Sequence, residues 1–176
     1  MSSAREIAID ATDILNDLIG DYVAATNTLR DYNGRYKAGH LTLTQMSVVQ
    51  KMCLSHIVLA CCKFIEFWEK YRDIVPMEHV GVLKDVNSKL SKSGVLEFRN
   101  KVAGHIWDRK NKRPLYNSEI MSMLKNLVGD DVGAFLNWIN TPNNNVYPNT
   151  IISIIEALRD SISAVHGIEP SEVVGR

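Results

Sequence analysis

The residues best suited to chemistry lie in one short segment, RNKVAGHIWDRKNKR, which runs from Arg99 to Arg113. It brings Arg99, Asn100 and His105 close together in sequence. Its other basic residues are Lys101, Arg109, Lys110, Lys112 and Arg113. An imidazole exchanges protons near neutral pH, and a guanidinium binds phosphate or carboxylate through paired N–H donors. Together they combine a group that exchanges protons with a cation that needs an anionic partner, either from the protein or from a ligand.

The positive charge of this segment is local, because the whole chain has 20 basic and 20 acidic residues and no formal net charge. A neutral chain has no general attraction to nucleic acid or membranes, so any such affinity must come from a patch. A charge run is often simply solvated. Arg99, however, follows the apolar residues Leu96 and Phe98, and we expect it to be partly buried with an anionic partner. Glu66 and Glu69 are candidates for that partner, the alternative being that both lie on a solvated helix edge.

Long helices must position this segment, because the chain shows apolar residues at helical spacing and no convincing strand pattern. The predicted helices begin at or near Ser3, Thr42, Val80, Asn117, Asp131 and Asn149. The first two start with capping boxes, in which Glu6 and Gln45 stand three residues after the N-cap residues Ser3 and Thr42. The first, second and last helices and the one that carries Arg99 are expected to form the four-helix core of an all-α, up-and-down bundle. The short helices near Asn117 and Asp131 would be additions to it.

The length of 176 residues suits a single domain. We predict that this domain covers residues 1–168 and that residues 169–176 form a loose tail. The first residues show no signal-peptide pattern, and no uninterrupted apolar run reaches the length of a membrane span. The sequence therefore predicts a cytoplasmic protein that does not associate with membranes.

Three cysteines, Cys53, Cys61 and Cys62, fall in one apolar helical stretch. Their odd number and the adjacency of two of them predict reduced, buried thiols and not a disulfide framework. Cys53 and His56 have a spacing that suits a metal, but no second ligand pair matches them, so no metal site is predicted. His56 lies inside an apolar stripe and is expected to be a hydrogen-bonded core residue.

The stretch RNKVAGH resembles the R-x(4–6)-H signature of the HEPN superfamily (higher eukaryotes and prokaryotes nucleotide-binding domains). A polar residue commonly follows the arginine in that signature, and Asn100 stands there in this chain. HEPN domains are small all-α bundles with two long antiparallel helices and the motif on a later helix. That layout is similar to the one predicted here over most of the chain. The second helix and the motif are most similar to the abortive-infection type of phage-defence protein.

This resemblance implies a metal-independent endoribonuclease of a defence or toxin system, without a cofactor. Arg99 would hold the scissile phosphate, and Asn100 would orient the phosphate or the histidine. His105 would act as general base on the ribose 2′-hydroxyl or as general acid to the leaving oxygen, giving a 2′,3′-cyclic phosphate end. The RNA backbone would be bound by Lys101, Arg109, Lys110, Lys112 and Arg113. The implied partners are RNA, a second copy of the chain, and an antitoxin or regulatory protein.

A regular helix does not bring Arg99 and His105 together, since six residues turn the chain by about 240° and advance it by about 9 Å. Either Gly104 distorts the helix, or a partner chain supplies the second group across a two-fold axis, so catalysis predicts a homodimer. An alternative is a catalytically silent HEPN-like dimer that binds nucleotide or protein. In a third interpretation, the protein is an unrelated helical bundle in which the stretch RNKVAGH occurs by coincidence. The first two differ in whether Arg99, Asn100 and His105 face an open basic cleft or are held by internal ion pairs.

Overall fold

The computed structural model describes residues 3–103, 107–108 and 112–173, and these form an all-α bundle, as predicted. The α-helices of these residues are α1 (Ala4–Lys37), α2 (Leu43–Tyr71), α3 (Met77–Lys92), α4 (Val95–Phe98), α5 (Asn117–Val128), α6 (Val132–Ile139) and α7 (Ile151–His166). A π-helical turn, Arg99–Ala103, follows α4 directly. Short 3-10 turns occupy Arg72–Ile74 and Pro170–Glu172. Two strands of two residues each, β1 (Trp107–Asp108) and β2 (Arg113–Pro114), pair in antiparallel fashion.

The core is built around α1, which packs between α2 on one side and α7 on the other. The predicted capping boxes start the two long helices, since the Ser3 side chain accepts from Glu6 N and the Thr42 side chain from Gln45 N. A short connection, 38–42, reverses the chain between them. The apolar stripes then face inward, and Leu15, Leu18, Tyr22, Phe64, Ile155 and Leu158 are fully buried. Their removal from water is the main force that holds the bundle together.

The fourth long helix of the core is α3, which packs against α2 and α7. The sequence had assigned this place to the helix that carries Arg99, and that assignment is wrong. After the break at Ser93 and Gly94, the chain forms one α-helical turn, α4, and then the π-helical turn. A segment this short cannot span the bundle, so it packs across α2 instead.

The C-terminal segment 169–173 is not the loose tail that the sequence predicted. Val173 is buried, and the 3-10 turn before it places Glu172 beside helix α1. Arg5 Nη2 donates to Glu172 Oε1 at 2.7 Å and to the carbonyl oxygen of Gly167 at 3.3 Å. The segment is therefore fastened to the start of α1.

Helix α2 is more apolar than the sequence analysis recognised. The stretch Leu43–Ile74 is long and apolar enough to cross a membrane by length and composition. Half of its most apolar window is buried inside the bundle, and the core helices of soluble proteins pass the same test of length and composition.

Helix α2 also carries the three cysteines, which are free thiols buried in the core, as predicted. Burial raises the pKa of Cys61 to about 12, so this thiol stays protonated and unreactive. His56 was expected in the core as well, but it lies at the surface. Its Nε2 is 3.1 Å from Asp21 Oδ1 of helix α1, and Lys63 Nζ donates to the other oxygen of the same carboxylate at 2.7 Å. The position of His56 at the edge of the apolar stripe, beside a charged residue of α1, explains its exposure.

Candidate functional site

The turn that carries Arg99 is held in place by the two buried residues of helix α4. Gly94 precedes α4 with φ +90°, a conformation that favours glycine, and it redirects the chain after α3. Val95 and Phe98 are then buried against the core. The next residues form the π-helical turn Arg99–Ala103, a rare geometry that is frequent at functional sites. Arg99 is thereby fixed beside α2 with 37% of its side chain exposed.

The Arg99 guanidinium is bound on two sides. Its Nη1 donates to Glu66 Oε1 of helix α2 in a close ion pair. Its Nε donates to Asn100 Oδ1 at 3.3 Å. The expectation that Arg99 is partly buried with an acidic partner is confirmed, and of the two candidates on α2 the partner is Glu66. Arg99, Asn100 and Glu66 therefore form a small exposed cluster that combines a cation, an amide and a carboxylate.

Cys62 lies one helical turn before Glu66, behind this ion pair. Its Sγ donates a weak hydrogen bond to the carbonyl oxygen of Val95 at 3.5 Å. The pKa of the Cys62 thiol is raised, mainly because the thiol is buried. The charge of Arg99 acts to lower this pKa, and the charge of Glu66 acts to raise it. Because burial dominates, Cys62 supports the cluster as a small apolar group and is not a nucleophile.

Two further basic residues of the segment also have acidic partners. Lys101 Nζ donates to Glu97 Oε1 at 2.5 Å, a pair four residues apart. Arg113 makes a two-pronged ion pair with Glu119, its Nη1 donating to Oε2 at 2.8 Å and its Nη2 to Oε1 at 2.7 Å. The Arg113 guanidinium also lies 4.3 Å from the centre of the Tyr116 ring.

Glu119 is a structural anchor at the start of helix α5. It accepts from the backbone N–H of Tyr116 at 2.8 Å in addition to its pair with Arg113. The hydrogen bonds from Arg113 and from this N–H lower the pKa of Glu119 to about 2. The carboxylate stays charged at neutral pH, and it fastens strand β2 to helix α5.

Of the other predicted site residues, the structure describes Lys112 but not His105, Arg109 or Lys110. Lys112 is exposed and has a positive φ of 50°, just before strand β2. The antiparallel pairing of β1 and β2 places Asp108 opposite Arg113 in the backbone register. His105, Arg109 and Lys110 lie outside the described residues. The structure thus brings Arg99 and Asn100 together, and it places Lys101, Lys112 and Arg113 on the chain that follows.

A surface cavity adjoins the Arg99 cluster and contains charged residues that the sequence analysis missed. It has a volume of about 310 Å³ and lies between helices α1 and α2, with Glu66, Lys63, Lys70 and Asp17 in its wall. Lys63, Glu66 and Lys70 recur at spacings of three and four on one face of α2, a helical pattern that was visible in the sequence. Among the described residues, no group of three or more His, Cys, Asp or Glu side chains is placed to hold a metal ion.

Comparison with known proteins relates the chain to a solved structure. No protein-family model matches the chain, and no curated protein matches it significantly. The fold is similar to that of the integron cassette protein Vpc_cass2 from the mobile metagenome of V. paracholerae, with a TM-score of 0.79 and 26% sequence identity. That likeness covers 93% of this chain and 99% of the other. The bundle is therefore shared over nearly the whole of both proteins.

Proposed function

We propose that the protein is a metal-independent endoribonuclease of the HEPN type, acting in the cytoplasm in a defence or toxin system. The observation that carries this proposal is the exposed cluster of Arg99, Asn100 and Glu66 on the π-helical turn. By the resemblance to the R-x(4–6)-H motif, Arg99 is the residue that would hold a phosphate and Asn100 the residue that would orient the phosphate or the histidine.

The ion pair of Arg99 leaves it available to a phosphate. More than a third of the Arg99 side chain and 60% of Glu66 are exposed. Ion pairs at such sites contribute only about 0–1 kcal/mol to stability, because water screens both charges. A phosphodiester, which also accepts two hydrogen bonds from a guanidinium, can therefore take the place of the carboxylate.

The proposed reaction needs only protein groups. Arg99 holds the scissile phosphate and stabilises the charge that develops on it, and Asn100 keeps the guanidinium in position. His105 takes the proton of the ribose 2′-hydroxyl or gives one to the leaving 5′-oxygen. The 2′-oxygen forms a bond to phosphorus as the bond to the 5′-oxygen breaks, which leaves a 2′,3′-cyclic phosphate.

RNA binding in this proposal extends beyond the motif. Lys112, together with Arg109 and Lys110, would contact the backbone without reading its sequence. Lys70 lines the cavity beside Glu66 and adds positive charge on the same side of α2, whereas Lys63 is paired with Asp21. A homodimer with two such turns near its axis would bring Arg99 of one copy towards His105 of the other. An antitoxin or regulatory protein would then restrain the nuclease.

A second function is favoured by a specific observation, the pairing of Arg99, Lys101 and Arg113 with Glu66, Glu97 and Glu119. These pairs neutralise much of the charge that the sequence suggested for RNA. A catalytically silent dimer of the same fold, binding nucleotide or protein, would use the cluster for recognition only. The two functions share Arg99 and differ in the need for His105.

Cleavage of a mixed RNA substrate in EDTA tests this choice, with wild type, His105→Ala, Arg99→Ala and the control His40→Ala. If the protein is a nuclease, wild type and His40→Ala should produce cyclic-phosphate ends, and His105→Ala and Arg99→Ala should not. If none of the four folded proteins cleaves RNA, the silent module is favoured. RNA binding by wild type that Arg99→Ala weakens would then identify nucleic acid as its ligand. Cleavage that survives both His105→Ala and Arg99→Ala would contradict the assigned site.

A further inference from the structure

A second cavity lies between helix α2, the end of helix α3 and the α5–α6 segment. Its volume of about 400 Å³ falls in the range of small-molecule sites. Val58 and Cys61 of α2 and Leu90 of α3, all buried core residues, form part of its wall. The cavity therefore reaches from the surface to the apolar core.

Two aromatic side chains of helix α6, Phe135 and Trp138, also line this cavity. Their ring centres are 6.2 Å apart, and the ring planes are inclined at 55°. Both residues are only half-buried, so each keeps part of its surface exposed. Aromatic rings in such a position gain from stacking against a planar apolar group.

A cation stands at the wall of the cavity beside these rings. Lys89 lines the cavity, and its Nζ lies 3.7 Å from the centre of the Trp138 ring. Lys89 is exposed, so a ligand can reach its ammonium group. Among the described residues it forms a cation–π contact and no ion pair. Because an ammonium group has three N–H donors and the ring covers one side of it, donors remain for a ligand.

The wall contains one acidic residue, Asp131, among the described residues. Its Oδ1 accepts from the backbone N–H of Ala134 at 2.9 Å and so caps the start of helix α6. The Asp131 carboxylate thus already has a structural partner, whereas the charge of Lys89 is not matched by a described carboxylate. This difference favours an anionic ligand over a cationic one.

We propose that this cavity binds an aromatic monocarboxylate. The carboxylate would accept from Lys89 Nζ, and the planar apolar body would lie against Phe135 and Trp138. One unpaired cation suits a single negative charge, and the apolar wall suits the body of the ligand. This site is independent of any nuclease activity.

Titration calorimetry of the full chain tests the proposal with 2-naphthoate and 2-naphthamide as probes. The two have the same shape, but only the naphthoate is charged. Naphthoate is expected to bind saturably at one site per chain and at least about threefold more tightly than the amide at low salt, because only the anion forms a charge-assisted hydrogen bond. No saturable binding of naphthoate, or equal binding of the two probes, would overturn the proposal.

A pair of charge variants on helix α3 tests the assigned cation. Lys89→Gln should remove the preference for naphthoate over the amide. Lys84→Gln is the matched control, because Lys84 is exposed on the same helix and does not line the cavity. An equal loss of preference in both variants would mean that only the net charge of the protein matters, which would refute the role of Lys89.

A second pair of variants tests whether the ligand lies in this cavity. Ala134 is exposed and lines the cavity, so Ala134→Phe should leave the fold intact and occupy part of the space. The affinity for both probes should fall at least about threefold, since overlap with a close-packed side chain is unfavourable. Ala24→Phe is the control, because Ala24 is exposed on helix α1 outside the cavity. Unchanged binding in Ala134→Phe would place the ligand elsewhere and contradict the assignment.

Discussion

Glu66 on helix α2 holds Arg99, a residue 33 positions later that opens the π-helical turn. In the proposed nuclease, a phosphate that binds Arg99 at Nη1 would have to displace this carboxylate. The same contact holds Arg99 in the free protein and, in the proposed nuclease, would compete with a nucleic acid for it. Removing the Glu66 carboxylate by substitution should show whether it mainly holds Arg99 in place or mainly competes with a nucleic acid.

The first prediction concerns the affinity for RNA of Glu66→Gln. The substitution frees Arg99 and removes a negative charge, so a short single-stranded RNA should bind up to about fivefold more tightly at low salt. Fluorescence anisotropy with a labelled oligonucleotide measures this change. Glu69→Gln is the matched control, because it removes the same charge from an exposed position of the same helix. Equal gains in the two variants would show that only net charge matters, and a loss in Glu66→Gln would show that Glu66 keeps Arg99 in its binding position.

The second prediction concerns the pH dependence of the Arg113–Glu119 pair. The pKa of Glu119 is lowered from 4.5 to about 2 in the folded chain, so its contribution to stability is fully present above pH 4.5. That contribution is lost as the pH falls from 4.5 towards 2, because the carboxylate must then be protonated in the folded state too. Glu119→Gln should accordingly lower the Tm at pH 7 and make little difference at pH 2.

Thermal unfolding of wild type and Glu119→Gln at several pH values between 2 and 7 measures this effect. Glu78→Gln is a control, since Glu78 is exposed and forms no ion pair among the described residues. The difference in Tm for Glu119→Gln should shrink on acidification, while Glu78→Gln stays close to wild type throughout. A difference that persists at pH 2 would mean that Glu119 stabilises the fold through hydrogen bonding alone.

Much of the fold follows from local rules that act within a few residues. Ser3 and Thr42 start helices because a side-chain oxygen accepts from the N–H three residues on. Gly94 and Gly167 stop helices because each has a positive φ that other residues rarely adopt. The N-cap role of Asp131 follows from the same rule, with its Oδ1 accepting from Ala134 N at 2.9 Å. Such signals are visible in the sequence because the residues involved are neighbours.

The candidate site depends on contacts that no local rule specifies. The spacing before His105 suggested a regular helix, whereas Arg99–Ala103 form a π-helical turn, which depends on how Val95 and Phe98 pack. Helix α1 continues through Gly34 to Lys37, because nothing forces a positive φ before Gly39. The hydrogen bonds of Arg30 were not recognised either, since its acceptors on Asn137 and Asn140 lie more than a hundred residues further along the chain.

The third prediction concerns the residue that anchors the turn. Phe98 is fully buried directly before Arg99, so Phe98→Ala leaves a cavity beneath the π-helical turn. The free energy of unfolding should fall by about 3–5 kcal/mol. Urea unfolding measures the loss, and Glu97→Ala, an exposed neighbour in the same helix, should cost well under half as much. A loss below about 1 kcal/mol would mean that the turn is not held by this side chain.

The fourth prediction concerns His79, a buried histidine whose partners were not visible in the sequence. Its Nε2 is 2.8 Å from Ser161 Oγ on helix α7, and its Nδ1 is 3.3 Å from the hydroxyl of Tyr147. His79→Leu keeps the apolar volume but leaves the half-buried Ser161 hydroxyl without its partner, so unfolding should become easier by about 0.5–1.5 kcal/mol. Urea unfolding of this variant beside the double variant His79→Leu/Ser161→Ala identifies the cause. If the missing hydrogen bond is responsible, the double variant should recover part of the loss, because it no longer holds an unpaired hydroxyl at this half-buried position. If the double variant loses more than His79→Leu alone, packing and not hydrogen bonding explains why His79 stabilises the contact between α3 and α7.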